Sequence, residues 1–388
     1  MHRKIRVGIV FGGRSGEHEV SLRSARSVMA AIDKDKFEAV PIGISKEGHW
    51  MIGGDPMQAL MDRVDPRLLK APAKDAAEEP SSTGTNEHGR ELAVRNTGHE
   101  ADLVPRAALL DELDVIFPVL HGPFGEDGTV QGLLELAGLP YVGAGVTSSA
   151  VGMDKILFKD VMKAHEFPIV PDLRVKRKHW EAEREAVLDE VEATLGYPVF
   201  TKPANLGSSV GIRRCGDRAA LAAGLDEAAR FDRKLLVEMA VTHAREIEVS
   251  VLGNDEPIAS LPGEIIPSRE FYDYAAKYID EGEEASDLLI PAPLSEEQTA
   301  QIRAMAVQVY LAIDCAGLAR VDFLLNGETD ELFVGEVNTI PGFTTISMYP
   351  KLWEATGISY SELISRLIDL ALERHADCSR SQTSYALD

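Results

Sequence analysis

The sequence predicts an α/β chain whose later part turns α+β, and three observations predict it. Ile5–Phe11 (IRVGIVF) is a near-continuous apolar run, as a buried parallel strand requires. Strand and helix patterns then alternate, with loops at strand C-terminal ends, where such sheets bind ligands. Farther along, Arg245–Leu252 (REIEVSVL) alternates apolar and polar residues, as a half-buried antiparallel strand does.

In order, the first strand leads into the glycine turn Gly12-Gly13-Arg14-Ser15-Gly16 and a helix from Glu17 onward. This is either a plain tight turn or a small-anion site at a helix N-terminus; the spacing is not that of a dinucleotide fold. Phe37–Ile44 is a second strand. From about Pro66 to Pro105 periodicity is lost, and a long surface loop is expected. Leu113–Leu120 is a strand running into His121 and the glycine-rich HGPFGEDG, followed by the helix TVQGLLELAG and a short strand LPYVG. His121 reads as a turn residue or a site residue.

Asp154 caps a helix carrying Lys155 and Lys159, which would ordinarily be solvated. A helix over Trp180–Leu195 closes on Gly196. Lys202 lies on the strand that enters the loop Ala204–Ile212, whose backbone N–H groups can wrap phosphate; an ordinary hairpin turn is the alternative. The strand KLLVEM ends at Glu238. The segment FYDYAAKY, with Lys277 and Tyr278, reads as an ordered loop. Ser295 to Gln298 is a capping box opening a helix that Gly317 stops, with Ile302, Met305, Val309 and Ile313 facing the core. Ser359 to Glu362 is another capping box, opening a last helix with Leu363, Leu367 and Leu370 on one face.

Arg320–Ser347 carries the richest chemistry. VDFLL and LFVGEVN flank the turn NGETDE, and a hairpin symmetric about Thr329 sets Asp322 opposite Glu336 and Leu324 opposite Val334. Arg320, Asp322, Glu336 and Asn338 then share a face. Carboxylates directly across a ladder sit ~5 Å apart and repel, so a cation between them is called for. An all-oxygen set suits Mg²⁺; a solvated acidic face is the alternative.

Composition narrows the classes of function. At 388 residues, two or three domains fit. A net charge of −23 argues against nucleic acid or an anionic membrane as partner, and leaves anionic substrates to local Lys and Arg. Cys215, Cys315 and Cys378 suggest neither a disulfide framework nor a zinc site, and Cys315 is expected buried in a helix. The N-terminus lacks the long apolar stretch and cleavage site of a signal peptide, and no run approaches the ~20 apolar residues of a membrane span. A cytoplasmic protein is expected.

Taken together, GGRSGEHEVSL, HGPFGEDG, MDK, TKPANLGSSVGI, REIEVSVLG, FYDYAAKY, ARVDFLL and GEVNTIPGFTTISMYP resemble, in order, the ATP-grasp enzymes and among them the D-alanine–D-alanine ligases. The resemblance implies an N-terminal parallel-sheet domain (1–152) and a two-part ATP-grasp fold (153–245 and 246–388). It implies a reaction in which ATP phosphorylates one D-alanine and the amine of a second attacks the acyl phosphate, making a peptidoglycan precursor. By this resemblance Asp322, Glu336 and Asn338 hold two Mg²⁺ (or Mn²⁺) ions, with Glu336 bridging. Lys155, Lys202 and Lys277 meet ATP phosphates; Glu238, Ala240 and Val241 flank the adenine, and Glu246 takes the ribose. Glu17 holds the first D-alanine's ammonium beside Ser208, Tyr278 and His121. Arg320, Ser347 and Met348 receive the second D-alanine, and the Gly342 N–H meets the oxyanion. Tyr278, where ester-forming relatives carry His, points to the dipeptide product. A homodimer is implied as well.

Overall fold

The computed structural model describes residues 3–64, 112–208, 210–266 and 287–382. Expectations for the loop around Pro66–Pro105 and for Lys277 and Tyr278 lie outside the described residues. Among the described residues the chain builds three sheets with helices packed against them.

The first sheet holds β1 (Ile5–Gly12), β2 (Phe37–Ile44), β3 (Trp50–Ile52) and β4 (Val115–Pro118) in the order β3-β2-β1-β4. β1 runs parallel to both β2 and β4, which explains its unbroken apolar character: both of its faces are covered. Its helices are α1 (His18–Ala31), α2 (Pro56–Met61), α3 (Thr129–Leu136) and α4 (Val146–Met153). The expected strand LPYVG is reduced to one bridge, Ile116 to Tyr141.

Next come α5 (Lys155–Ala164), β5 (Asp172–Lys176), α6 (Arg177–Ala182), α7 (Arg184–Thr194), β6 (Val199–Pro203), β7 (Arg213–Cys215), α8 (Arg218–Phe231) and β8 (Lys234–Met239). The strands form an antiparallel sheet in the order β5-β8-β6-β7. The single helix expected over Trp180–Leu195 is two helices broken at Glu183. Trp180 is fully buried, its indole N–H donating to Asp226 at 2.9 Å, and that anchor overrides the helix-forming residues around it.

The third sheet joins β9 (Ala244–Gly253), β10 (Ile258–Ala259), β11 (Gly263–Ile266), β12 (Asp287–Leu289), β13 (Gly317–Asn326) and β14 (Leu332–Asn338). Its central path is β12-β11-β9-β13-β14, all antiparallel. α9 (Glu296–Ala312) opens on the predicted Ser295 capping box and packs Ile302 and Val309 against one face. Cys315 is buried but lies beyond this helix, in the turn before β13, and Gly317 starts that strand. α10 (Met348–Thr356) and α11 (Tyr360–Cys378) complete the chain. Leu363, Ile364, Leu367 and Ile368 of α11 share a core with Val7, Phe11 and Phe117 of the first sheet. No helix among the described residues is long and apolar enough to cross a membrane.

Candidate active site

Around the β13–β14 hairpin, one face of the third sheet is apolar and the other carries the polar residues. Val321, Phe323, Leu325, Val334 and Val337 are buried on the core side. Alternation therefore sends Arg320, Asp322, Glu336 and Asn338 to the opposite side, as expected. Asp322 pairs with Glu336 and Arg320 with Asn338. The expected pairing of Leu324 with Val334 does not occur: Phe323 faces Val334 and Leu324 faces Phe333. The register shifts between Asp322 and Phe323, leaving Gly335 as the extra residue of a bulge. A Cβ on Gly335 would come within 2.9 Å of the Asp322 carbonyl oxygen, so the close approach needs glycine.

The Arg320 guanidinium lies on Asp322 through two contacts of 2.7 Å and on Glu248 at 3.0 Å. Burial favours its neutral form, yet Asp322 and Glu248 hold its pKa well above the usual value. The Asn338 amide donates to Asp322 at 2.9 Å. Lys155 reaches across from α5, 3.7 Å from Glu336, while donating to the Leu206 carbonyl at 2.8 Å. It ties the glycine-rich loop to the acidic hairpin. Asp154 sets this lysine in place by capping α5 through the N–H groups of Ile156 and Leu157.

Lys202 of β6 is ion-paired with Glu238 of β8. Lys159, expected in solvent, is 2 % exposed; its ammonium lies 2.6 Å from Glu238 and donates to the Val170 carbonyl at 2.8 Å. Burial alone pushes the Glu238 carboxyl up, but attraction to Lys202 and Lys159 prevails and holds it at about 2. Burial pulls Lys202 down, and Glu238, with help from Glu336 and Glu246, raises it above its ordinary value. Ala240 and Val241 follow β8 directly, with the Ala240 N–H on the Pro198 carbonyl at 3.0 Å. Glu246 lies two residues before Glu248 on β9, across from Leu324.

Glu17 stands at the N-cap of α1 but makes no capping bond. It accepts the Ser208 hydroxyl instead, joining the first sheet's glycine turn to the loop after β6. Ser208 adopts a left-handed backbone (φ 51°), a conformation a non-glycine residue holds only under local constraint. Gly122 (φ +75°) lies against Glu17, where a Cβ would come within 2.6 Å of its carboxylate. His121 is buried, its Nδ1–H donating to the Ile340 carbonyl at 2.9 Å and its Nε2 meeting the Ser24 hydroxyl at 3.1 Å. Burial depresses its pKa, so the neutral ring is favoured. Glu126 accepts the Gly122 N–H at 2.6 Å, and burial followed by repulsion from Glu17 raises its carboxyl well above the ordinary range.

At the far end, Ser347 accepts the Thr344 N–H at 3.1 Å, and a Cβ on Gly342 would come within 3.1 Å of the Ser347 hydroxyl. Met348 is buried at the start of α10 beside Ile265 and Leu352. Asp322, Glu336, Asn338, Arg320, Lys155, Lys202, Glu238, Glu17, Ser208 and His121 thus take their places around the meeting of the three sheets.

Sequence reasoning missed Lys159, Glu126 and Glu248. Lys159 lies one helical turn after Lys155, and Glu248 shares its strand face with Glu246, so both periodicities carried a signal. Among the described residues no three His, Cys, Asp or Glu side chains converge into a closed metal cage. The donor set of Asp322, Glu336 and Asn338 is all oxygen and open, which fits a hard divalent cation that completes its shell with water and phosphate.

Residues 6–144 match the D-ala D-ala ligase N-terminus family and residues 161–369 the D-ala D-ala ligase C-terminus family. The chain belongs to the D-alanine–D-alanine ligase family. It is 49 % identical over 380 residues to a D-alanine–D-alanine ligase of Heliobacterium modesticaldum, covering 97 % of each chain. The corresponding protein of Natranaerobius thermophilus is 44 % identical, with 99 % of each chain covered. Among solved structures, the D-alanine-D-alanine ligase from Coxiella burnetii superposes with a TM-score of 0.74 at 34 % identity, over 98 % of this chain and 97 % of that one. The VanG D-Ala:D-Ser ligase from Enterococcus faecalis gives a TM-score of 0.75 at 32 % identity, over 95 % of this chain and all of the other. The ATP-grasp expectation for the fold therefore stands. Members of this family are ATP-dependent ligases that use divalent metal.

Proposed function

We propose how this site carries out the family's reaction, the ATP-dependent joining of two D-alanines through a D-alanyl phosphate. The observation that carries the proposal is the facing pair Asp322 and Glu336, flanked by Arg320 and Lys155. Asp322, Glu336 and Asn338 would hold two divalent ions, Mg²⁺ or Mn²⁺, with Glu336 shared. Bound there, the ions would neutralise charge on the phosphoryl group in transfer. Lys155, Lys202 and Lys277 hold ATP phosphates. Glu238, Ala240 and Val241 line the adenine, and Glu246 binds the ribose.

Glu17 takes the ammonium of the first D-alanine, with Ser208 and Tyr278 orienting that carboxylate and His121 bracing the wall behind it. Arg320, Ser347 and Met348 form the second D-alanine's pocket. Arg320 and the Gly342 N–H meet the oxyanion that grows when the amine adds to the acyl phosphate. An acyl phosphate is destroyed by water, so the loops at Gly207–Gly211 and Lys277–Tyr278 serve as covers. The three segments 1–152, 153–245 and 246–388 act as domains of a cytoplasmic homodimer. Tyr278 supports an amine acceptor, and competition between D-alanine, D-serine and D-lactate tests that choice.

The decisive variant is Glu336→Gln, which removes one charge at nearly constant volume. Phosphate release dependent on D-alanine is expected to vanish while circular dichroism and melting stay those of the parent. Near-normal turnover would refute the metal assignment.

A further inference from the structure

We infer that Glu248 is a positioning residue for Arg320, keeping the guanidinium at the second D-alanine's pocket when Asp322 is drawn toward a divalent ion. The inference rests on the roles proposed above for Arg320 and Asp322.

Glu248 of β9 stands directly across from Asp322 of β13, so Glu336, Asp322 and Glu248 form one row across three strands. Arg320 lies between two carboxylates, hydrogen-bonded to Asp322 and in ion-pair contact with Glu248. Its Nε meets Asp322 Oδ1 at 2.7 Å and Glu248 Oε2 at 3.0 Å, and its Nη2 meets Asp322 Oδ2 at 2.7 Å. The two anchors differ in what else claims them. Asp322 also accepts from Asn338 and faces Glu336, so a cation between those acids competes with Arg320 for its oxygens.

Glu248 is placed away from that competition. Its neighbour on the other side is Gly263 of β11, behind which Leu352 and Met348 leave no room for a side chain: a Cβ there would come within 2.7 Å of Leu352. Glu248 is 5 % exposed, and Arg320 is a cation within ion-pair reach of its carboxylate. An arginine held by Asp322 alone would follow Asp322 toward the metal. Held by Glu248 as well, it keeps its place in the row when Asp322 turns to the metal. Orientation of this kind acts on rate as well as on binding, because a misplaced donor loses transition-state contact.

The test uses the full-length enzyme with Glu248→Gln, Glu248→Asp, Arg320→Lys and the double variant Glu248→Gln/Arg320→Lys. For Glu248→Gln, the KM of the second D-alanine is expected to rise about tenfold and kcat to fall about tenfold. The KM of ATP and Mn²⁺ binding followed by electron paramagnetic resonance in the presence of ADP should match the parent, while the melting temperature should fall as for any broken buried ion pair. Glu248→Asp keeps the charge without the reach and should fall between. The double variant should be no worse than Arg320→Lys alone, because the inferred contribution of Glu248 runs through that arginine.

Unchanged second-site KM in Glu248→Gln beside an impaired Arg320→Lys overturns the inference alone. An unimpaired Arg320→Lys overturns the Arg320 reading and the inference with it. Weakened Mn²⁺ binding in Glu248→Gln, or losses that multiply in the double variant, also overturn it by giving Glu248 a different job.

Discussion

Lys159→Met tests whether the buried charges behind the nucleotide pocket form one working unit. The substitution keeps length and apolar volume but removes the cation that lies 2.6 Å from Glu238. Breaking a buried pair by deleting one partner costs roughly 3–5 kcal/mol. Here Glu238 retains Lys202, which moves the cost toward the lower end. Loss of the bond to the Val170 carbonyl works the other way, since an orphaned buried acceptor costs about 1–3 kcal/mol. A net destabilisation of about 3 kcal/mol follows, a melting shift of roughly 6–12 °C for a unit of this size.

A second readout concerns function. Lys202 becomes the principal partner of Glu238 and is less available to phosphate, so the KM of ATP should rise. A third is pH. Glu238 titrates at about 2 against an ordinary 4.5, so its stabilisation is full above 4.5 and is lost as pH falls toward 2. Lys159→Met should shrink that acid-side slope. The assay is thermal unfolding at pH 7 and pH 3 together with ATP kinetics at pH 7. A melting shift under about 2 °C with unchanged ATP kinetics would refute the reasoning.

Other perturbations probe neighbouring parts of the site. Gly335→Ala puts a methyl within 2.9 Å of the Asp322 carbonyl; about 1–3 kcal/mol of stability and a larger share of Mn²⁺ affinity should be lost, read by unfolding and metal titration. Ser208→Ala removes the hydroxyl donated to Glu17 and should raise the first D-alanine's KM more than it lowers kcat, read by fitting initial rates over a wide D-alanine range to a two-site equation. His121 has a depressed pKa, so its stabilisation is present above its ordinary 6.5 and lost as pH falls below that value. His121→Gln should flatten the parent's melting profile between pH 7 and 5, measured as a difference curve because Glu17, Arg23 and Glu126 lie nearby.

The hairpin shows what alternation reveals and where it stops. Counting by twos placed Arg320, Asp322, Glu336 and Asn338 on one face, because strand side chains obey that period whatever their partners. The same counting mispaired Leu324, because a bulge adds a residue to one strand only, and Gly335 inside a strand pattern was its one local sign. Lys159 and Glu126 were harder to read. Lys159 is tolerated inside because Glu238, distant in sequence, pairs with it, and Glu126 draws on the distant Ile340 N–H as well as the nearby Gly122 N–H; no local pattern encodes the distant partners. The break at Glu183 has the same origin, since Trp180 answers to Asp226 rather than to its own helix. The core positions of α9 and α11 were legible for the opposite reason: burial of one helix face repeats at a fixed interval.

The polar contacts at the centre of the molecule share one property. Ser208 with Glu17 joins the second sheet's loop to the first sheet's turn, His121 with the Ile340 carbonyl joins the first sheet to the segment after β14, and Lys155 with Glu336 joins α5 to the third sheet. Each pair of sheets is thus linked by at least one residue that the proposed chemistry also uses. Such contacts are individually modest, since a hydrogen bond nets about 1 kcal/mol, and so they can be exchanged for substrate groups without unfolding any one sheet. The largest apolar core itself runs from the first sheet into α11 and the third sheet, so burial brings those units together and the polar links adjust how they face one another. A substitution at any of them should therefore disturb binding at both amino-acid sites at once, even where the altered side chain touches only one.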